Sequence, residues 1–368
     1  MKDQLTVIIP VKDREQFLIR WMYYAKKVSF PFKLFIADGS ANNEMQNLFL
    51  NNNNFSSINY EYVKFPHDKS YDLFWNKLLK SLKEIKTPYV AIGNDDDLYC
   101  VDGLLKSVEF LNRNSDYSIC GGKIGVFEPL PSKKYSDYKG LYSNNIYCSF
   151  NDTSQSIRDN SSLDRIKSHF SNYALTFYDV QHKEQAVFAY QKIVDLKIEN
   201  ILLVELVTSF ISIAQGKSKR LNDIFLMRQA TPESSFAKTY TEQKGDEFDQ
   251  MLYRSWSIDL NNFFDEVANI VVQKDNIDLE NSIKQIKKSY REYISTTIVN
   301  NLSRDYVKNK NFFLMNNKVK LLIRKIDHNN LIKKYYSKFN NSLKYRYKKQ
   351  SDISDVIKFL SEIPISKS

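Results

Sequence analysis

Leu5-Thr6-Val7-Ile8-Ile9-Pro10-Val11 is a continuous apolar run. Runs of this kind form strands buried on both faces of a parallel sheet, here with Pro10 at the exit. Apolar residues at helical spacing follow from Arg14 to Val28: Phe17, Leu18, Trp21, Met22 and Ala25. Phe32-Lys33-Leu34-Phe35-Ile36-Ala37 then reads as a second strand, ending in Asp38-Gly39-Ser40. A strand, a helix and a strand within residues 5–40 predict an α/β sheet of the doubly wound kind.

The alternation continues. A short helix is expected over Glu44–Leu50, a strand over Tyr60–Val63, an amphipathic helix over Tyr71–Lys83 and a strand over Thr87–Gly93. That last strand runs into Asn94-Asp95-Asp96-Asp97, followed by a helix over Asp102–Asn112 and a strand over Tyr117–Gly122. Between Phe127 and Asn172 the pattern dissolves into Ser-, Asn- and Tyr-rich sequence, which reads as a loop-rich segment over a substrate. Helices return at His182–Val194 and Glu199–Gly216, then a strand at Leu221–Met227 and helical spacing from about Glu247 onward. The expectation is an N-terminal α/β domain over 1–235 and a helical region over 245–368.

Composition sets bounds. The chain has 368 residues, 42% of them hydrophobic, enough for about two domains at roughly 150 residues each. Nine glycines and eight prolines exclude collagen-like and Pro/Gly-rich disordered classes. Cys100, Cys120 and Cys148 are odd in number and widely spaced, which argues against a zinc ribbon or a disulfide framework. Met1 to Gln4 lead straight into the first strand, so a reduced, cytoplasmic setting is expected. Ile201–Ala214 is too short to span a bilayer and contains Glu205. The net charge of +10 favours an acidic partner or simply reflects a Lys-rich surface.

Chemistry points to the three adjacent aspartates. Clustered carboxylates repel, so a fold keeps them only with a cation or good solvation. In an open α/β sheet, ligands bind at the carboxyl ends of the strands, where Asp38 and Asp95–Asp97 both fall. Such carboxylates suit Mg²⁺ or Mn²⁺ and, through it, a diphosphate. The competing reading is an acidic turn that only caps the next helix. No GxGxxG, Walker loop or Gly-x-Ser-x-Gly occurs, which disfavours dinucleotide, P-loop and α/β-hydrolase chemistry.

Three segments, in order and at fitting spacing, resemble the family 2-like, GT-A-fold glycosyltransferases. They are Thr6-Val7-Ile8-Ile9-Pro10-Val11-Lys12-Asp13-Arg14, Ile36-Ala37-Asp38-Gly39-Ser40 and Thr87-Pro88-Tyr89-Val90-Ala91-Ile92-Gly93-Asn94-Asp95-Asp96-Asp97. The resemblance implies a GT-A, Rossmann-like, mostly parallel sheet and an inverting transfer from a nucleotide-sugar donor. The acceptor would be a glycan or lipid-linked glycan, in bacterial surface-polysaccharide synthesis. It further implies that Pro10, Val11, Lys12, Asp13 and Arg14 cradle the nucleotide and that Asp38 contacts the base. Asp95–Asp97 would be the acidic "DxD" element, Asp95 and Asp96 meeting the donor and Asp96 and Asp97 the metal. A second register places Asn94 first and leaves Asp96 and Asp97 as the final pair. Glu205 falls where the family keeps its general base, and Arg228 where a cation would assist the diphosphate.

Other readings stay open from the residues. Glu205 also suits a half-exposed helix position, and Arg228 a structural one. A nucleotidyltransferase would need a Gly-rich first loop, and Pro10-Val11-Lys12-Asp13 has no glycine. A non-catalytic nucleotide-sugar or glycan-binding protein is the third possibility. Tyr335-Tyr336-Ser337-Lys338-Phe339 and Leu343-Lys344-Tyr345-Arg346-Tyr347-Lys348-Lys349 interleave cations with aromatics. Such a segment suits a solvated helical bundle or peripheral contact with an anionic membrane face. Nucleic-acid binding is the weakest of its readings.

Overall fold

A computed structural model of the chain describes residues 2–51, 53–130, 140–150, 152–198, 200–230, 250–295 and 351–362. Its centre is β1 (Leu5–Val11), every residue of which is buried. β1 lies between β2 (Lys33–Asp38) and β4 (Tyr89–Ile92), parallel to both. Val7 and Ile9 enter one core and Ile8 the other, which is why the run is apolar throughout rather than alternating. Pairing with β4 ends at Ile8↔Ile92, so Pro10 sits where β1 has β2 as its single strand neighbour and the missing N–H is tolerated.

The sheet of the described residues runs β3-β2-β1-β4-β8-β6-β9-β5, with β7 on β6. The outer members are β3 (Tyr60–Lys64), β5 (Leu98–Tyr99), β6 (Tyr117–Pro129), β7 (Ile146–Ser149), β8 (Val180–His182) and β9 (Lys217–Gln229). β8 is antiparallel to both β4 and β6, so β6 and its partner β9 run parallel to β1. The carboxyl ends of β1, β2, β4, β6 and β9 therefore share one edge of a mostly parallel sheet.

Helices cover both faces. α1 (Glu15–Lys27) and α4 (Val101–Arg113) pack on one core with Leu5, Val7 and Ile9. α3 (Tyr71–Glu84), α5 (Ser162–Ser171), α6 (Lys183–Asp195) and α7 (Ile201–Gln215) enclose the other, while α2 (Glu44–Asn51) adds Met45 and Phe49 to the first. Among the described residues, the helical C-terminal part holds α8 (Arg254–Asp275), α9 (residues 279–295) and α10 (Ser351–Ser361). α8 and α9 extend the core of α5–α7 through Phe263, Val267 and Ile286. α10 packs on α1, with Phe359 against Tyr24 at 5.5 Å between ring centroids and the Leu360 carbonyl accepting from the Ser143 backbone N–H at 3.0 Å. No helix among the described residues is long and apolar enough to cross a membrane. The basic aromatic segments over 335–349 and the boundary expected between 235 and 245 lie outside the described residues.

The structure lengthens and adds elements where the sequence pattern was weak. β6 and β9 pair with each other along thirteen-residue strands, past the polar Lys123 and Asn222-Asp223 that break their apolar runs, with register shifts near Gly121 and Lys123. β5 and β8 are too short to show a period. The segment expected to be loop-rich holds β7 and α5, whose first turn is capped by Ser161 accepting from the Asp164 backbone N–H at 3.1 Å.

His169 on α5 offers a test of this packing. It is 2% exposed, surrounded by Phe170, Tyr173 and Phe210, and its Nε2 has no hydrogen-bond partner. Burial first, and the Arg220 charge second, push its pKa down to about 3. A depressed histidine contributes stability above its ordinary pKa and loses it as pH falls through that value toward the folded one. Between pH 6.5 and 5 that loss is about 2 kcal/mol. In urea unfolding, wild type should lose that much relative to His169→Phe over this window. Parallel curves for the two proteins would show that His169 is not held neutral.

Candidate functional site

The acidic turn is built by its backbone as much as by its side chains. Three donors on one face of α1 reach three carbonyls of the segment after β4. Arg20 Nη2 donates to Asp96 O at 2.8 Å, Trp21 Nε1 to Asp97 O at 2.8 Å, and Tyr24 Oη to Tyr99 O at 2.7 Å. Arg20 also donates to Leu141 O at 3.0 Å and is fully buried. The positions 20, 21 and 24 follow helical spacing, so one rigid helix face sets the path of the turn.

The side chains divide the charge. Arg14, at the N-cap of α1, forks across two carboxylates, with Nη1 donating to Asp95 Oδ1 at 2.7 Å and Nη2 to Asp96 Oδ2 at 2.9 Å. Its guanidinium also lies 4.1 Å from the centre of the Phe17 ring. Asp97 turns the other way. Its Oδ1 accepts from the Gln229 backbone N–H at 2.9 Å, and its Oδ2 from Asn94 Nδ2 at 3.3 Å, with Arg228 Nε 3.7 Å away. Three aspartates thus face Arg14, Arg20 and Arg228.

Burial dominates the titration of this cluster. It raises Asp95 to about 7, against the pull of Arg14, and Asp97 to about 6, with Asp96 adding repulsion and Arg228 opposing. Arg20 falls to about 10 for the same reason, held up in part by Asp96. For Arg14 burial works against the charge, but Asp95 and Asp96 outweigh it and raise its pKa.

The other residues singled out in the sequence reach the same edge with different roles. Pro10 and Val11 are buried in the sheet, Lys12 and Arg14 are half-buried, and Asp13 is exposed. Asp13 adopts φ 51°, the left-handed region that costs a non-glycine residue. It is fixed there by its N–H donating to Ser40 Oγ at 2.8 Å and by Oδ1 accepting from the Ala41 N–H at 2.7 Å. Asp38, expected to contact a base, has no exposed surface. Its carboxylate accepts from the Ser40 N–H at 2.8 Å, from Lys64 Nζ at 3.1 Å and from Tyr62 Oη, so it fastens the 38–42 loop. Burial alone would raise the Asp38 pKa; the bonds from Ser40, Tyr62 and Lys64 outweigh it and lower it.

Glu205 is half-buried on α7, and its charge acts on both Tyr190 and Arg228. Arg228 is opposed by burial but raised by Tyr178, Asp97 and Glu205, and it lies 5.2 Å from the Tyr178 ring centre. The structure therefore gathers Arg14, Asp95, Asp96, Asp97 and Arg228 around one turn, and the Glu205 charge acts on Arg228. Arg228 also forms the rim of a groove of about 380 Å³ on the β6–β7 side, lined by Ser149, Asp152, Thr153, Asn172 and Tyr173.

Sequence reasoning missed Tyr62 and Lys64, two residues apart on one face of β3, and the buried Lys77–Asp68 pair. Lys77 Nζ donates to Val11 O at 3.1 Å and to Asp68, fixing the end of β1. The signal was there: Lys77 interrupts the apolar face of α3 beside Phe74 and Leu78.

A divalent cation was expected at the acidic turn. Among the described residues, no group of three or more His, Cys, Asp or Glu forms a ready-made metal set. The Arg14 guanidinium is nevertheless a cation seated between Asp95 and Asp96, and Asp95 Oδ2 and Asp96 Oδ1 stand outside its fork. Carboxylate oxygens are the donor type Mg²⁺ and Mn²⁺ take, but these two belong to no group of three or more such ligands among the described residues. Asp97, expected beside Asp96 as a ligand, has both oxygens committed to Gln229 and Asn94.

No protein-family model matches the chain, and no curated protein matches it. Among solved structures, S. aureus TarS aligns over 79% of this chain at 12% identity with a TM-score of 0.49, and this chain covers 44% of it. TarS 1-349 in complex with UDP-GlcNAc aligns over 79% of this chain and 73% of its own, at 13% identity and a TM-score of 0.47. TarS 1-349 in complex with UDP covers 81% and 92%, at 13% identity and 0.43.

Trp21 isolates the contribution of the α1 donors. Trp21→Phe keeps the ring contact with Phe30 but leaves the Asp97 carbonyl without its side-chain donor. The expected loss is about 1–3 kcal/mol of unfolding free energy. Denaturant melts should show it; a change below roughly 0.5 kcal/mol, the usual range for surface substitutions, would contradict this role.

Proposed function

We propose that this chain is a GT-A-type glycosyltransferase that moves a sugar from a nucleotide-sugar to a glycan or lipid-linked glycan acceptor. The observation that carries the reading is the convergence on one sheet edge of the Asp95–Asp97 turn, Arg14 and Arg228, with Arg228 also lining a groove of mixed polar and apolar character. Carboxyl ends of parallel strands are where open α/β sheets bind ligands. A group-transfer enzyme needs two substrates to meet at one point, and the turn lies beside the Lys12–Arg14 loop, where Asp13 is exposed, and beside Arg228, which lines the groove.

The roles follow from position. Lys12, Asp13 and Arg14 present the donor side, and Asp38 acts indirectly by holding the 38–42 loop. Asp95 and Asp96 would hold Mg²⁺ or Mn²⁺, which would supply charge neutralisation for a departing diphosphate. Arg228 places a further positive charge beside the turn. Glu205, whose charge acts on Arg228, removes the proton from the acceptor hydroxyl in an inverting transfer. The groove, where Ser149, Thr153, Asn172 and Tyr173 stand among Ile124, Val126 and Leu175, is where we place the carbohydrate acceptor. A bacterial surface-polysaccharide pathway on the cytoplasmic face of the membrane is the setting we propose.

The test is melting of the full chain with UDP, GDP, CMP and dTDP, each with and without Mn²⁺, for wild type and Glu205→Gln. A ligand that binds the native state raises the melting temperature. One nucleotide should stabilise both proteins, and only with metal. Supplied with the matching nucleotide-sugar and a glycan acceptor, Glu205→Gln should turn over roughly 10²-fold or more slowly. No stabilisation by any nucleotide would overturn the reading; full activity in the variant would remove Glu205 as the base.

A further inference from the structure

Tyr173 is the one aromatic side chain among the described residues that line the groove beside Arg228. It follows α5, is half-buried, and its ring is backed by two others. His169 of α5 lies 5.1 Å away between ring centroids, and Tyr293 of α9 lies 5.2 Å away. Both supports are packed in turn, His169 at 2% exposure and Tyr293 at 5.5 Å from Phe170. These contacts limit how far the Tyr173 ring can turn, so its place in the groove is set before a ligand arrives.

The chain on which Tyr173 sits is tied to the sheet. Arg220 of β9 donates from Nη2 to Leu175 O at 2.8 Å and from Nη1 to the Asp179 carboxylate. Thr176 Oγ1 and Ser209 Oγ of α7 share a hydrogen bond of 2.9 Å. The segment after β7, which supplies Asp152 and Thr153 to the groove, is tied as well. Asp152 accepts from the backbone N–H groups of Ile124 and Ser154, each at 2.7 Å.

We propose that Tyr173 is the platform on which a sugar ring of the acceptor stacks, and that the groove selects a pyranose over an open-chain polyol. The proposal rests on the reading of this groove as the acceptor side and names the residue that recognises the acceptor there. The C–H face of a pyranose is weakly positive and meets the negative face of an aromatic ring. The hydroxyls around its edge need polar partners, and Ser149, Thr153 and Asn172 line the same groove. A few polar groups among apolar ones is the make-up of small-molecule clefts, and about 380 Å³ lies within their usual range of roughly 300–1,000 Å³. An open-chain polyol carries comparable hydroxyls but no flat C–H face, so it gains nothing from the ring. Arg228 joins this groove to the acidic turn, since it lines the one and stands 3.7 Å from Asp97 of the other.

The experiment is saturation-transfer difference NMR on the full chain with the methyl β-pyranosides of glucose, galactose, mannose and N-acetylglucosamine, and with glucitol as the open-chain control. The nucleotide that stabilises the protein in melting is present, or none if none does. Wild type and Tyr173→Phe should pass saturation to the ring C–H protons of at least one pyranoside and not to glucitol. Tyr173→Ala should lose that signal at least about fivefold. Tyr173→Leu, which keeps apolar bulk without a ring, should lose it too and serves if Tyr173→Ala does not fold. No transfer to any pyranoside in wild type, equal transfer to glucitol, or an undiminished signal in the folded variants overturns the proposal. In transfer assays with the matching nucleotide-sugar, Tyr173→Ala should raise the acceptor KM about tenfold, the size of one aromatic contact, with a smaller fall in kcat. Its stabilisation by nucleotide should stay as in wild type. An unchanged acceptor KM overturns the platform and leaves the glycosyltransferase reading standing. Pyranoside binding that depends on Tyr173, with no nucleotide binding in any variant, would sink the glycosyltransferase reading and leave the platform standing.

Discussion

Three carboxylates in sequence at a buried sheet edge are a liability, and the bonds between α1 and the turn that carries them make that edge possible. Arg20, Trp21 and Tyr24 fix the carbonyls of Asp96, Asp97 and Tyr99 from one helix face. With the backbone held, the side chains can point apart: Asp95 and Asp96 toward the Arg14 loop, Asp97 toward β9. The separation limits repulsion, and Arg14 covers the two carboxylates on its side. Even so, burial keeps Asp95 and Asp97 above the usual carboxylate range. Strain of this kind at a ligand edge is what a site retains when its charges are meant to meet another charge.

The same constraint links parts of the chain far apart in sequence. Asp97 accepts from Gln229, so the turn after β4 is closed by the end of β9. Arg20 reaches Leu141, and Ser143 beside it meets α10, so the helix near the C-terminus returns to the helix that shapes the site. On the opposite side, Lys77 and Asp68 fix the end of β1 from α3. The loop of Lys12–Arg14 is held between these supports, through Asp13 in its left-handed conformation.

Much of this was legible in the residues. Buried parallel strands announce themselves by unbroken apolar runs, so β1, β2 and β4 and the acidic turn at their carboxyl edge followed from pattern alone. β6 and β9 were legible only in part, because their polar residues sit on strands that pair irregularly. β5 and β8 are shorter than any detectable period. In the site, residue type was read correctly as charge but not as partnership. Asp38 looked available and is instead bound by Tyr62 and Lys64, two residues from another strand. Arg20 and Trp21 looked like parts of an amphipathic helix, and their donors are what the turn depends on. Partnership of this kind arises only when strands and helices are assembled, so no local pattern encodes it.

The account makes the acidic turn the meeting point of metal, diphosphate and sugar. The most direct measurement is the crystal structure of the full chain with Mn²⁺ and the nucleoside diphosphate that stabilises it, with anomalous scattering used to locate manganese. The account predicts manganese at Asp95 and Asp96 and the nucleotide lying over Lys12–Arg14. Nucleotide and manganese bound away from this edge would contradict it.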